Sequence, residues 1–260
     1  MRFVTMLGHA ALVLAITAIL AAPGGAQARQ PVVIELFTSE GCSSCPPADA
    51  LLSQLSKQRN AVNGIELILL GEHVEYWNGP GWRDRFSAPV YTQRQYDYVR
   101  QLHLATAYTP QTVIDGHLQT TGGNAGGLNQ FIAESARTPK SAKITIELIG
   151  PDKWKVSVTE AGNRKLKVLL AVTEDNLATH VGGGENGGRT LQHDAVVREL
   201  EQVGTTANGQ FEKIVSTHSK RDWKQDDLRA IVIVQDADSG EIHGAASSRW
   251  QGAAFAAGGR

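Results

Sequence analysis

The chain has 260 residues, a formal net charge of -1, 6% aromatic residues and no run of lysine or arginine. That balance carries no electrostatic footprint for nucleic acid, and the length sets one large domain or two modest ones as the starting expectation. Two cysteines close together in a chain of this size exclude a disulfide framework as the source of its stability.

The first residues combine Arg2, the apolar stretch "ALVLAITAILAA" and the small residues Ala26-Gln27-Ala28. This is the layout of a secretory signal peptide, so residues 1–28 are expected to be removed near Ala28 and the protein to be periplasmic or secreted. The apolar run is shorter than the roughly 20 residues of a spanning helix. No later segment is apolar enough to cross a bilayer, so the mature chain is expected to have no membrane span. Export also lets a disulfide persist.

"PVVIELFTS" is apolar or β-branched at nearly every position, as a strand buried on both faces should be. Cys42-Ser43-Ser44-Cys45 follows, then Pro46-Pro47, which fit a first helical turn because their missing N–H groups cost little there. Leu51, Leu52 and Leu55 continue a helical face. "GIELILLGEHV" reads as a second buried strand. The loop "EYWNGPGWRDRFSAP" comes next, and "VYTQRQYDYVRQL" forms a helix with Tyr91, Tyr98, Val99 and Leu102 inward. "QTVID" and "HLQTT" are predicted to pair as a hairpin through Asp115-Gly116, and "GGLNQFIAESAR" is a last helix.

From about Ser141 the pattern changes to short alternating strands: "AKITIELIG", "KWKVSVTEA", "KLKVLLAVTED", "FEKIVSTHS", "RAIVIVQDA" and "EIHGAASSRW". Their spacing predicts an antiparallel β-sandwich. The strand–helix order before it resembles the thioredoxin topology. The expected fold class is therefore an α/β thioredoxin-like domain over residues 29–140, followed by an all-β antiparallel sandwich domain over 141–250 and a disordered tail at 251–260.

A helix start favours a thiolate, because it presents unpaired N–H groups and a partial positive charge. Cys42 is thus the candidate nucleophile and Cys45 the resolving thiol. A four-residue staple is worth only roughly 2 kcal/mol, which leaves redox chemistry, a metal thiolate site or an inert pair. Thr109-Pro110 stands before the hairpin strand, where the likeness to thioredoxin implies a cis-proline beside the cysteines. Glu35 reads as a buried proton acceptor or a solvent-facing strand residue, with an offset from Cys42 one residue longer than that role requires. His73 reads as a base, a ligand or a hydrogen-bonded structural histidine. Trp77, Trp82 and Arg83 read as a lid or as loop packing. "GGENGGRT" lacks the lysine of a phosphate loop, and Glu185, Asn186 and Arg189 are expected to contact the N-terminal half by hydrogen bonds.

The strings "ELFTSEGCSSCPPADALL", "GEHVEYWNGPGWRDRFSAP", "YTQRQYDY", "YTPQTVIDG" and "GENGGRTLQHDAVVREL" resemble the exported family catalogued as domain of unknown function 1223. The resemblance implies a thioredoxin-like domain with a C-terminal β domain, and Cys42, Cys45 and Pro110 match the redox elements of the wider thioredoxin superfamily. Ser43-Ser44 replace the Gly-Pro of thioredoxin, and no tryptophan precedes Cys42.

These features together lead to an expected exported thiol–disulfide oxidoreductase. Its site comprises Cys42, Cys45, Thr109 and Pro110, with Glu35, His73 and Trp77 in support, and it uses no cofactor. Its expected partners are protein thiols or disulfides and an unidentified redox partner. The alternative is a non-enzymatic thioredoxin-like binding module that holds copper through the two thiolates. Both methionines, Met1 and Met6, lie in the signal segment, so His73 would have to complete such a site.

Overall fold

Apolar and β-branched residues fill Gln30–Thr38, and in the computed structural model, which describes residues 30–59 and 64–250, this segment is strand β1, buried over most of its length. It pairs in parallel with β2 (Ile65–His73) and antiparallel with β3 (Gln111–Ile114). The Asp115-Gly116 turn joins β3 to β4 (Leu118–Thr121). Both residues have positive φ, 46° and 75°, a left-handed conformation that Asp and Gly tolerate in the three-residue loop 115–117. Helices α1 (Pro46–Lys57) and α3 (Ala125–Ser135) cover one face through Leu52, Leu55, Leu128 and Ile132 on Val32, Ile34 and Leu36. Helix α2 (Pro89–Gln101) covers the other through Tyr98 on Phe37 and Val113.

The expected fold class does not hold. The protein is mostly β, with 44% strand, 18% helix and three α-helices among the described residues. One mixed sheet of eight strands runs through it in the order β13-β12-β7-β10-β2-β1-β3-β4. Its C-terminal members are β7 (Lys167–Glu174), β10 (Val196–Thr205), β12 (Leu228–Gln235) and β13 (Ile242–Arg249). Strand β10 makes the join. It lies antiparallel to β7 along its length and meets β2 at Val196 opposite Gly71, where the Gly71 N–H donates to the Ala195 carbonyl at 2.7 Å.

Side chains weld the join. Under α2, Tyr91 packs in one cluster with Val33, Ile68 and Leu70 of the N-terminal strands and with Leu169, Ala171, Val197, Ile231 and Ile233 of the C-terminal ones. Exposing these side chains would cost roughly 1.5–3 kcal/mol for each large one, so each half holds the other in place. A three-stranded sheet of β5 (Ala142–Gly150), β6 (Lys153–Glu160) and β11 (Gln210–Ser216) packs on the opposite face of β7 and β12. Trp154, Val156 and Val158 meet Val168, Leu170, Ala230 and Val232 there. Strands β8 (Leu177–His180) and β9 (Thr190–His193) form a separate hairpin. The predicted signal peptide and C-terminal tail lie outside the described residues.

Candidate functional site

Strand β1 leads directly into the cysteines. Beyond Thr38 the chain turns, with the Cys42 N–H donating to the Ser39 carbonyl at 3.2 Å, and Cys45 caps α1 with prolines in the two positions behind it. The Ala48 and Asp49 N–H groups donate to the Cys45 carbonyl at 2.8 and 3.1 Å, closing the first turn. Cys42 and Cys45 are joined by a disulfide. Both cysteines are 0% exposed, whereas Ser43 and Ser44 between them face solvent.

Opposite the disulfide stands the segment before β3. The Thr109-Pro110 bond is cis. The Thr109 hydroxyl donates to Cys42 Sγ at 3.3 Å and accepts from Trp77 Nε1 at 2.7 Å, and Ser44 Oγ lies 3.4 Å from the same sulfur. Gly122, at the end of the hairpin, makes this closeness feasible. A Cβ there would lie within 3 Å of Ala48, Leu36 and Pro110, so only glycine lets the hairpin, α1 and the cis-proline meet.

A buried polar cluster lies behind the cysteine loop. His73 Nδ1 is 2.6 Å from Asp84 Oδ2, which also accepts the Glu40 N–H at 2.8 Å. The rings of His73, Phe86 and His193 pack edge to face, with centroids 5.0–5.7 Å apart. Glu40 accepts from Trp82 Nε1 at 3.1 Å and comes within 3.5 Å of His193 Nε2. Asp49 accepts the Thr38 hydroxyl at 2.8 Å through Oδ1, while its Oδ2 has no protein partner.

Burial alone would raise the Asp84 carboxyl, but His73 and the backbone N–H groups of Glu40 and Phe86 bring it down to about 2. Burial would lower His73, and Asp84, Asp49 and Glu40 outweigh it and hold the imidazole above its ordinary value. Burial dominates at Asp49 and pushes its carboxyl up against the pull of both histidines. The cluster thus pairs His73 with Asp84 and holds Asp49 as a carboxyl that keeps its proton above the ordinary carboxylate range.

The C-terminal half contributes the loop between β8 and β9. Asn186 Nδ2 donates to the carbonyls of Glu40 and Cys42, both at 2.9 Å, and Arg189 fixes its Oδ1 at 2.7 Å. Glu185 accepts the Ser43 N–H at 3.1 Å. Gly183 sits against Gly81 so tightly that a Cβ would fall 2.1 Å from the Gly81 carbonyl.

Cys42, Cys45, Thr109, Pro110 and Trp77 therefore converge, and His73 lies in the neighbouring cluster without a hydrogen bond to sulfur. Trp82 is tied to Glu40 and Arg83 is exposed. Glu35 is placed elsewhere. As an odd-numbered β1 residue it faces α2 with Val33 and Phe37, where it pairs with Arg94 and accepts the Tyr98 hydroxyl at 2.6 Å. Its neighbour Glu72, buried beside it, is held well above the usual carboxylate range. The even-numbered face carries Thr38 and, through it, Asp49. Sequence reading missed Asp49, whose signal was its place one helical turn beyond Cys45 on the buried side. Glu40, Asp84 and His193 converge from three separate segments, and no local spacing marks them as one cluster.

No curated protein matches the chain. The structure is similar to the crystal structure of protein AGR_C_4864 from Agrobacterium tumefaciens, with 25% identity, a TM-score of 0.69 and coverage of 85% of this chain and 95% of that one. HBP35 of Porphyromonas gingivalis shares the fold at 15% identity and a TM-score of 0.61, with coverage of 85% and 75% of the two chains. A family model described as protein of unknown function matches residues 33–235, and the chain belongs to that family, DUF1223.

Proposed function

We propose that the protein is an exported thiol–disulfide oxidoreductase in which Cys42 exchanges with the partner and Cys45 resolves. The observation that carries this reading is the Thr109 hydroxyl, oriented by Trp77, donating to Cys42 Sγ beside a helix start. A donor and a helix N-terminus both favour charge on that sulfur. Export is supported by the apolar N-terminal stretch, and no helix among the described residues is long and apolar enough to cross a membrane.

In the oxidising direction a substrate thiolate attacks Cys42 Sγ, the Cys42–Cys45 bond breaks and its electron pair leaves on Cys45. A second substrate thiolate attacks the substrate sulfur of the mixed disulfide and releases Cys42 as a thiolate. The substrate is oxidised to a disulfide and the protein is reduced by two electrons, which a partner disulfide then removes. Reduction of a substrate is the reverse. Asp49, one turn beyond Cys45 and with a free carboxylate oxygen, exchanges the proton with Cys45.

Replacing the resolving thiol tests this. The Cys45→Ala variant, expressed with its export segment, is expected to accumulate mixed disulfides through Cys42 that a Cys42→Ala/Cys45→Ala variant lacks. Equal absence of adducts in both variants contradicts the reading.

A further inference from the structure

We propose that residues 181–189 are a displaceable cover, through which the C-terminal half of the chain controls access to the cysteine pair. The inference rests on the oxidoreductase reading for its purpose, but its geometry stands on its own.

Thiol–disulfide exchange needs an incoming sulfur to reach the attacked sulfur from the side away from the leaving one. Cys42 and Cys45 are both 0% exposed, so some neighbouring segment has to move first. Strand β1 and helix α1 belong to the buried core, and Thr109-Pro110 leads directly into β3. The 181–189 loop is built differently. It is the tip of the β8–β9 hairpin, which forms its own two-stranded sheet outside the eight-stranded one. Its neck is closed by the Val181 N–H donating to the Arg189 carbonyl at 2.9 Å and the Gly188 N–H to the Val181 carbonyl at 2.8 Å. The tip can therefore lift at its neck without breaking a strand pair of the large sheet, while Leu177 and His193 keep the base of the hairpin buried against Phe86.

A groove of about 430 Å³ runs along the seam of α1 and β9, lined by Asp49, Ala50, Ser53, Arg189 and Leu191 among others. The tip itself is fastened by specific contacts and lies against Trp82 at Gly182 and Gly184. Asn186 donates to the carbonyls of Glu40 and Cys42, Glu185 accepts from the Ser43 N–H, and Gly183 rests on Gly81. These contacts clasp the cysteine loop backbone at residues 40, 42 and 43. Releasing them frees the backbone of the cysteine loop, whose two sulfurs are buried in the closed arrangement. Gly184 and Gly188 take positive φ of 71° and 81°, where glycine's wide conformational range suits a hinge.

The test is the rate at which dithiothreitol reduces Cys42–Cys45 in the full protein, followed by alkylation and mass measurement. In the wild type the rate is expected to level off as dithiothreitol is raised, because opening becomes limiting. Asn186→Ala removes two hydrogen bonds and is expected to speed reduction by about tenfold or more. Glu185→Gln, on an exposed side chain, is expected to give a smaller acceleration of about threefold and serves where Asn186→Ala fails to fold. Folded variants reduced within about twofold of the wild-type rate overturn the cover, since an unmade hydrogen bond in the closed state has to shift the opening equilibrium by more. A wild-type rate that rises linearly with dithiothreitol, equal to that of the denatured protein, overturns it as well. The outcomes separate from those of the oxidoreductase reading. Faster reduction in the variants without adducts in Cys45→Ala leaves the cover standing and removes its proposed purpose, while adducts with unchanged reduction rates do the opposite.

Discussion

The hydroxyl of Thr109 lies 3.3 Å from Cys42 Sγ across 67 residues of sequence, and the indole of Trp77 holds it there. A thiolate gains more from this donor than a disulfide sulfur does. Thr109→Val is therefore expected to destabilise the reduced form by about 1 kcal/mol and make the couple about 20 mV more reducing. Thr109→Ser should leave the potential close to wild type. Equilibration with a glutathione buffer reads both.

Asp49 is buried with one carboxylate oxygen unpartnered. Its carboxyl is held up by burial, so the folded state retains a proton that the unfolded chain loses, and stability falls as pH rises through that interval. Asp49→Asn keeps the acceptor for Thr38 and removes the charge. It is expected to raise stability at pH 7 by about 1 kcal/mol, or roughly 2–4 °C in Tm for a chain of this size. It should also slow the proton-coupled release of Cys45. Thermal unfolding and stopped-flow reduction measure the two effects separately.

Asp84 behaves oppositely. Its carboxyl is lowered to about 2 against about 3.9 unfolded, so it contributes about 2–3 kcal/mol at neutral pH, lost as pH falls from about 5 to about 1. His73, raised by the same pairing, contributes below its unfolded value of about 6.5 and loses that contribution as pH climbs through its higher folded one. Asp84→Asn should thus lower stability at pH 7 and flatten the acid limb in denaturant titrations between pH 3 and 7.

Gly122 is the contact point of hairpin, α1 and Pro110, with less than 3 Å available to any Cβ. Gly122→Ala is expected to cost about 1–3 kcal/mol and to displace Thr109 from Cys42. Urea denaturation measures the first, and the shift in redox potential towards that of Thr109→Val measures the second.

The legible parts of the molecule were those with an uninterrupted period. β1 and β2 are apolar runs, α1 opens on paired prolines, and Asp115-Gly116 announces its turn. The fold class failed at β10, "VVRELEQVGT", because bulges between Val197 and Glu199 and between Gln202 and Gly204 break the two-residue alternation that marks a strand. Without β10 the edge of β2 looks free and the two halves look independent. The Glu35 assignment failed by parity, since its neighbours in β1 decide its face. Thr109, Pro110 and Trp77 each sit in a recognisable string, whereas His193 and Glu40 meet only through the tertiary fold. Glu185 and Asn186 were legible as contacts to the N-terminal half, whereas Arg189 bonds to Asn186 instead, and the grip on the cysteine loop arises only in the tertiary fold.

The most direct measurement is a redox titration of the purified protein in glutathione buffers of stepped ratio, with the Cys42 and Cys45 thiols counted by alkylation and mass. The expected result is a single reversible transition of two electrons between the disulfide and the dithiol, reached from both the oxidised and the reduced side. Cysteines that never form the disulfide, or a disulfide that fails to reform after reduction, would contradict the proposed chemistry.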